Sequence, residues 1–96
     1  MYLIRNVFQA EPGMVKELVK IWKAVIPIAE KHGYKGNRIL PDVASDFWTF
    51  IYEYEIESLA DFEKGESFTS DPEVRKLMDG YMDMVSGGYR EIFKIV

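Results

Sequence analysis

Phe47-Trp48-Thr49-Phe50-Ile51-Tyr52-Glu53-Tyr54 carries the clearest strand pattern in the chain. Side chains alternate across a β-strand, so this segment divides into two sets that point in opposite directions. One set is Trp48, Phe50, Tyr52 and Tyr54, and the other is Phe47, Thr49, Ile51 and Glu53. Both sets are largely apolar, and we therefore expect a strand that is covered on both faces.

The N-terminal segment from Tyr2 to Gln9 has the same two-sided character. Leu3 and Val7 alternate with Tyr2, Ile4 and Phe8. A chain of 96 residues has room for about two helices, which can cover one face of a small sheet. The second face needs another cover, and we expect it to be a second copy of the chain.

The intervening segments predict one long helix and two strands. Apolar residues at spacings of three and four indicate an amphipathic helix from about Pro12 to His32, which Gly33 ends. Tyr34 to Leu40 is typical of a short, more polar strand, and a loop from Pro41 leads into the aromatic strand, which we expect to run from Phe47 to about Ile56.

The second half of the chain predicts a broken helix and a last strand. Ser58 and Asp61 resemble a capping box, and Gly65 is expected to interrupt the helix that they begin. Ser70 or Asp71 is expected to cap a continuation that starts at Pro72 and is stopped by Gly87-Gly88, before a strand from Tyr89 to Val96. The order strand, helix, strand, strand, helix, strand predicts an α+β, ferredoxin-like split βαβ fold (βαββαβ) with a four-stranded antiparallel sheet, in which the first and third strands are central.

Composition limits the function classes. With 48% apolar and 29% charged residues, the chain is expected to form a single domain over residues 1–96. A net charge of −4 argues against nucleic acid as a partner. No apolar run approaches the roughly 18 to 20 residues of a membrane span, and Arg5 and Asn6 interrupt the segment where a signal peptide would be apolar. Without cysteine, the sequence fits a cytoplasmic location.

The chain resembles the dimeric α+β barrel superfamily, and within it the NIPSNAP-like proteins. Four segments carry the resemblance: Glu11-Pro12-Gly13, Pro27 to Gly33, Phe47 to Phe62, and Ser70-Asp71-Pro72-Glu73. It implies that two ferredoxin-like subunits pack their open sheet faces together as a homodimer. The resemblance implies the fold and the homodimer more directly than any reaction. Our own expectation is that a small apolar cleft between sheet and helices binds a small hydrophobic or aromatic molecule.

Two other functions stay open. One is a cofactor-independent monooxygenase or isomerase of the dimeric α+β barrel type, and the other is a purely structural or interaction module. The haem-degrading branch of the superfamily uses an Asn on the first strand, which Asn6 resembles, but the second helix here has neither the Trp nor the His of that branch. We therefore expect no cofactor.

Six residues are candidates for the site. Asn6, Trp48, Tyr52 and Tyr81 are the expected ligand-binding residues, because an amide on an apolar strand can orient a ligand and aromatic rings can enclose it. Asn6, His32 and Glu53 are the catalytic candidates. An imidazole is a common ligand or base, but we favour His32 as a cation at a helix C-terminus. Glu53 could act as an acid if it is buried without a cationic neighbour, but we favour its pairing with Arg5, Arg90 or Lys94. One His and no Cys argue against a metal site.

Overall fold

Strands and helices follow one another in the predicted order. The computed structural model describes residues 1–63 and 68–96. Its elements are β1 (Tyr2–Ala10), α1 (Val15–Lys31), β2 (Lys35–Pro41), β3 (Thr49–Ile56), α2 (Leu59–Glu63), α3 (Pro72–Leu77) and β4 (Val85–Lys94), with 3₁₀ turns at Phe68–Ser70 and Tyr81–Met84. Gly65, where a break in the second helix was predicted, lies outside the described residues.

The two most apolar strands pair antiparallel at the centre of the sheet. The strand order is β2-β3-β1-β4, and the β1–β3 register runs from Tyr2 opposite Ile56 to Gln9 opposite Thr49. β4 pairs with the other edge of β1, and it places Arg90 opposite Asn6. This arrangement confirms the predicted ferredoxin-like βαββαβ fold.

One face of the sheet packs against the helices. Trp22 of α1 stacks on Tyr52 of β3 with ring centroids 4.5 Å apart, and it also stacks on Phe8 of β1 at 5.9 Å. Leu18 and Val25 of the same helix are fully buried. Burying a large apolar side chain contributes roughly 1.5–3 kcal/mol, so this layer is the main source of stability.

The other face, here called the open face, carries every second residue of the central strands. Its members include Leu3, Arg5, Val7, Ile51 and Glu53, together with Leu40 of β2 and Tyr89 and Phe93 of β4. Leu40 is 40% exposed and Tyr89 is 63% exposed. The described helices therefore leave apolar side chains of this face in contact with solvent.

Two predicted helix ends were wrong, for the same conformational reason. α1 begins at Val15 instead of Pro12, because Gly13 has a φ of +83° that a right-handed helix cannot contain. The helix after Asp71 stops at Leu77, since Gly80 has a φ of +80°. Asp71 caps that helix as expected, because its carboxylate accepts the backbone N–H of Glu73 at 2.9 Å.

The Gly87-Gly88 pair lies inside β4, although it was predicted to stop a helix. The pair lies opposite Gln9 and Phe8 of β1, next to a register shift between Gln9 and Ala10. The aromatic strand also begins later than predicted, at Thr49 instead of Phe47. None of the described helices is long and apolar enough to cross a membrane.

Replacing Gly88 by Ala should destabilise the sheet. A Cβ at Gly88 would overlap the carbonyl oxygen of Val7, whereas a Cβ at Gly87 meets no atom within 4 Å. We expect Gly88→Ala to lower the free energy of unfolding by about 1–3 kcal/mol in urea titrations. The matched control Gly87→Ala should change it by less than about 1 kcal/mol. Equal effects of the two substitutions would contradict the close approach of β4 to β1.

Candidate functional site

A cavity lies between the sheet and the helical layer. Its volume is about 860 Å³, which falls within the range of about 300–1,000 Å³ typical of small-molecule sites. Its walls are mainly aromatic and apolar. They include Asn6, Phe8, Trp22, Tyr52, Tyr54, Phe62, Thr69, Met78, Tyr81, Met82, Val85 and Arg90.

Asn6 lies in this wall because β1 turns its even-numbered side chains toward the helices. Its side chain is buried, and its Nδ2 donates to the backbone carbonyl of Tyr52 at 3.2 Å. Its Oδ1 accepts a hydrogen bond of 2.7 Å from Nε of Arg90. The amide is thus held in one orientation by β3 and β4, the strands on either side of β1.

The ring of Tyr52 lines the cavity, while its hydroxyl forms a hydrogen bond outside the cavity. The hydroxyl donates to Oδ1 of Asn37, which follows the start of β2. Burial raises the pKa of Tyr52 well above its ordinary value of 10.0. The phenol therefore stays protonated over the physiological pH range.

Tyr81 also lines the cavity, on the 3₁₀ turn that follows Gly80. Its ring meets Trp22 edge to face, with an interplanar angle of 80° and 6.4 Å between centroids. Trp22 itself is buried, and its indole Nε1 has no hydrogen-bond partner among the described residues. Ring contacts with Phe8, Tyr52 and Tyr81 hold Trp22 in the wall of the cavity.

Trp48, the fourth predicted ligand-binding residue, lies outside this cavity. It precedes β3 with a φ of +63°, and its side chain is 41% exposed. Its backbone carbonyl accepts the N–H of Ala10 at 2.8 Å. The structure thus brings Asn6, Tyr52 and Tyr81 together and leaves Trp48 at the end of the sheet.

His32 is also distant from the cavity. It caps the C-terminus of α1, and its Nε2 lies 3.3 Å from Oδ2 of Asp71. The backbone N–H of Glu73 and the contact with His32 both lower the pKa of Asp71 below its ordinary value of 3.8. The imidazole therefore links the end of α1 to the start of α3.

Glu53 lies on the open face, on the side of the sheet opposite Asn6. It is only 1% exposed, and it forms ion pairs with Arg5, at 2.8 Å, and with Arg38. A hydrogen bond from Arg5 to this carboxylate raises the pKa of the guanidinium. An acid role for Glu53 was expected only if no cation lay beside it, and that condition is not met.

Arg90 is the charged lining residue, among those described, that the sequence did not reveal as part of the site. It was considered only as a possible partner of Glu53, whereas the structure bonds it to Asn6 and places its guanidinium 5.0 Å from the ring centroid of Phe62. The register of β1 with β4 is the signal that could have identified it, because Arg90 lies directly opposite Asn6. That register is not readable from periodicity alone.

The fold is shared with solved structures of two named groups. A NIPSNAP-family protein of unknown function from Agrobacterium tumefaciens matches with a TM-score of 0.84 and 15% identity, over 100% of this chain and 88% of that one. An uncharacterised NIPSNAP domain protein from Burkholderia xenovorans matches with a TM-score of 0.74 and 12% identity, over 100% and 95%. A candidate antibiotic biosynthesis monooxygenase from Chloroflexus aurantiacus gives 0.78 and 14%, over 99% and 92%.

The expected likeness to NIPSNAP-like proteins is thus confirmed for the fold alone. No protein-family model matches the sequence, and no curated protein matches it in a sequence comparison.

The buried Tyr54 hydroxyl should make the protein sensitive to alkaline pH. Burial raises its pKa to about 12, although the charge of Arg90 and a hydrogen bond with Asn6 act in the opposite direction. The folded protein therefore keeps this proton at pH values where the unfolded chain loses it. Stability from this group is complete below about pH 10 and is lost as the pH rises toward 12.

Urea unfolding at a series of alkaline pH values tests this expectation. The free energy of unfolding should fall between pH 10 and 12 in the wild type, and the slope should be smaller in Tyr54→Phe. The control Tyr2→Phe should retain the wild-type slope, since Tyr2 is only half-buried and lies on the helical face of the sheet. An unchanged slope in Tyr54→Phe would contradict the assignment.

Proposed function

We propose that this protein is a homodimer that binds a small hydrophobic or aromatic molecule in the cavity between its sheet and helices. The observation that carries the proposal is the cavity itself, about 860 Å³ with aromatic walls and a buried, oriented amide at Asn6. A purely structural module would be expected to fill this space with side chains.

Binding is favoured over catalysis by the chemistry of the walls. Among the described lining residues there is no carboxylate and no imidazole, and burial raises the pKa of both Tyr52 and Tyr54. A general acid or base works best with a pKa near the operating pH. The two other catalytic candidates, His32 and Glu53, lie outside the cavity and are paired with Asp71 and with two arginines.

The homodimer is supported by the open face. Leu40, Tyr89 and Phe93 are 40%, 63% and 44% exposed there. The ion pairs of Glu53 are complete within one subunit, so the buried carboxylate would keep its partners when a second sheet covers it. Satisfied charges reduce the cost of desolvating an interface. A second copy packed through its own open face would cover these side chains.

Tryptophan fluorescence can test ligand binding, because only one of the two tryptophans lines the cavity. The variant Trp48→Phe keeps Trp22 as its single tryptophan, and the control Trp22→Phe keeps Trp48. We expect 1,4-naphthoquinone to quench Trp48→Phe with a saturable curve, since a bound aromatic ring would contact Trp22. The chain has no cysteine with which the quinone could react.

In Trp22→Phe the same quinone should cause only weak, non-saturating quenching by collision. Equal, linear quenching of the two variants after correction for absorbance would count against a binding cavity beside Trp22. Isothermal titration calorimetry of the wild-type protein with the same quinone supplies an independent measurement of affinity.

Sedimentation velocity tests the dimer. At micromolar concentration the wild type should sediment with twice the mass of the 11.2 kDa chain. Leu40→Asp should shift the protein toward the monomer, because it places an unpaired charge within the covered face. The control Val43→Asp introduces the same charge three residues later at a fully exposed loop position, and it should remain dimeric. A wild-type protein that sediments at 11.2 kDa would refute the dimer.

A further inference from the structure

We propose that the cavity selects aromatic molecules that carry a carboxylate, and that Arg90 binds this group. The inference rests on the proposed binding function and adds the chemical class of the ligand. It follows from three features of Arg90: its charge, the atoms that it leaves free, and the walls around it.

Arg90 is the only charged side chain among the described residues that line the cavity. It forms no ion pair with any residue in the described ranges, whereas Arg5 and Arg38 both pair with Glu53. Within the part of the chain that the structure describes, the cavity therefore presents a positive charge without a counterion. A ligand with a single negative charge would complement it.

The guanidinium is also held in place before a ligand arrives. Its Nε donates to Oδ1 of Asn6 at 2.7 Å, and its plane lies over Phe62 at 5.0 Å. These contacts engage the inner nitrogen and leave the two terminal nitrogens, which have no hydrogen-bond partner among the described residues. Two parallel N–H donors match the two oxygens of a carboxylate.

The position of Arg90 lowers the cost of binding an anion. Arg90 is exposed, whereas the neighbouring Asn6 is buried. A carboxylate at Arg90 would keep part of its hydration while the attached ring enters the aromatic cavity. Full burial of the same charge would cost far more. Asn6 is then a positioning residue, because it acts on the ligand through Arg90.

Two probes of similar shape, one charged and one neutral, distinguish the contribution of the charge to the affinity from that of the aromatic contacts. Calorimetric titrations with 2-naphthoate and with its neutral amide, 2-naphthamide, would be compared in the wild type, in Arg90→Met and in Lys94→Met. Lys94 is the matched control, because it lies on the same strand and the same face of the sheet but does not line the cavity.

The wild type should bind 2-naphthoate at least about tenfold more tightly than 2-naphthamide, as expected for a hydrogen-bonded charge pair. Arg90→Met should abolish this ratio, because the variant has no charge that distinguishes the carboxylate from the amide. Lys94→Met should preserve the ratio. Arg90→Lys retains the charge but loses the two parallel N–H donors of the guanidinium, so its ratio of affinities should lie between those of the wild type and Arg90→Met.

Equal affinities for the two probes in the wild type, or a preference that persists in Arg90→Met, would overturn the inference. If 2-naphthamide or 1,4-naphthoquinone binds and 2-naphthoate does not bind more tightly, the ligand class is wrong and the proposed binding function stands. If none of the three aromatic molecules binds, the binding function fails together with the inference.

Discussion

The antiparallel register between β1 and β3 determines which chemical environment each central residue enters. Tyr2 faces Ile56 and Gln9 faces Thr49, so even-numbered residues of β1 share a face with Tyr52 and Tyr54. A shift of one residue would exchange the two faces. Ile4 and Asn6 would then leave the helical layer, and Arg5 would be driven into it without Glu53. The cavity and the open face therefore depend on the same set of backbone hydrogen bonds.

Arg5 and Asn6 show how this register places two adjacent polar residues in a central strand. Their side chains point to opposite faces, and each finds partners on both neighbouring strands. Arg5 reaches Glu53 of β3 at 2.8 Å and Glu91 of β4 at 3.9 Å, and Asn6 bonds to β3 and β4 in the same way. Buried polar groups need such partners to avoid a desolvation penalty. Because the buried Oδ1 of Asn6 needs a donor, its hydrogen bond with Arg90 also keeps the guanidinium beside the cavity.

The order of the elements, the central position of β1 and β3 and the cap at Asp71 could be predicted from the sequence, because they follow from local patterns. Alternating apolar residues mark strands, and Asp71-Pro72 marks a helix start. The same reasoning failed at Gly80 and Gly87-Gly88. Both sites are glycines, but Gly80 takes a left-handed conformation and Gly88 approaches Val7 across the β1–β4 pair. Only the tertiary structure distinguishes these two uses of glycine.

The candidate site was predictable in part for the same reason. Asn6 and Tyr52 could be identified because their residue types stand out within apolar strands. In the sequence, Trp48 fits the alternation of the aromatic strand. In the structure, β3 begins at Thr49, the residue after Trp48, and Trp48 has a positive φ that is not compatible with a strand. Arg90 could be identified as a site residue only from the pairing of the first and last strands, which are separated by most of the chain.

The separation of acid–base groups from the cavity explains why binding is the better interpretation of this site. His32 and Glu53 are the side chains that sequence reasoning selected for proton transfer, and each is held by an oppositely charged partner away from the cavity. Among the described lining residues, the cavity instead carries aromatic rings, an amide and a guanidinium, groups that do not exchange protons near neutrality. In the proposed function these walls recognise the shape and charge of a ligand, because rings pack against rings and a guanidinium pairs with an anion.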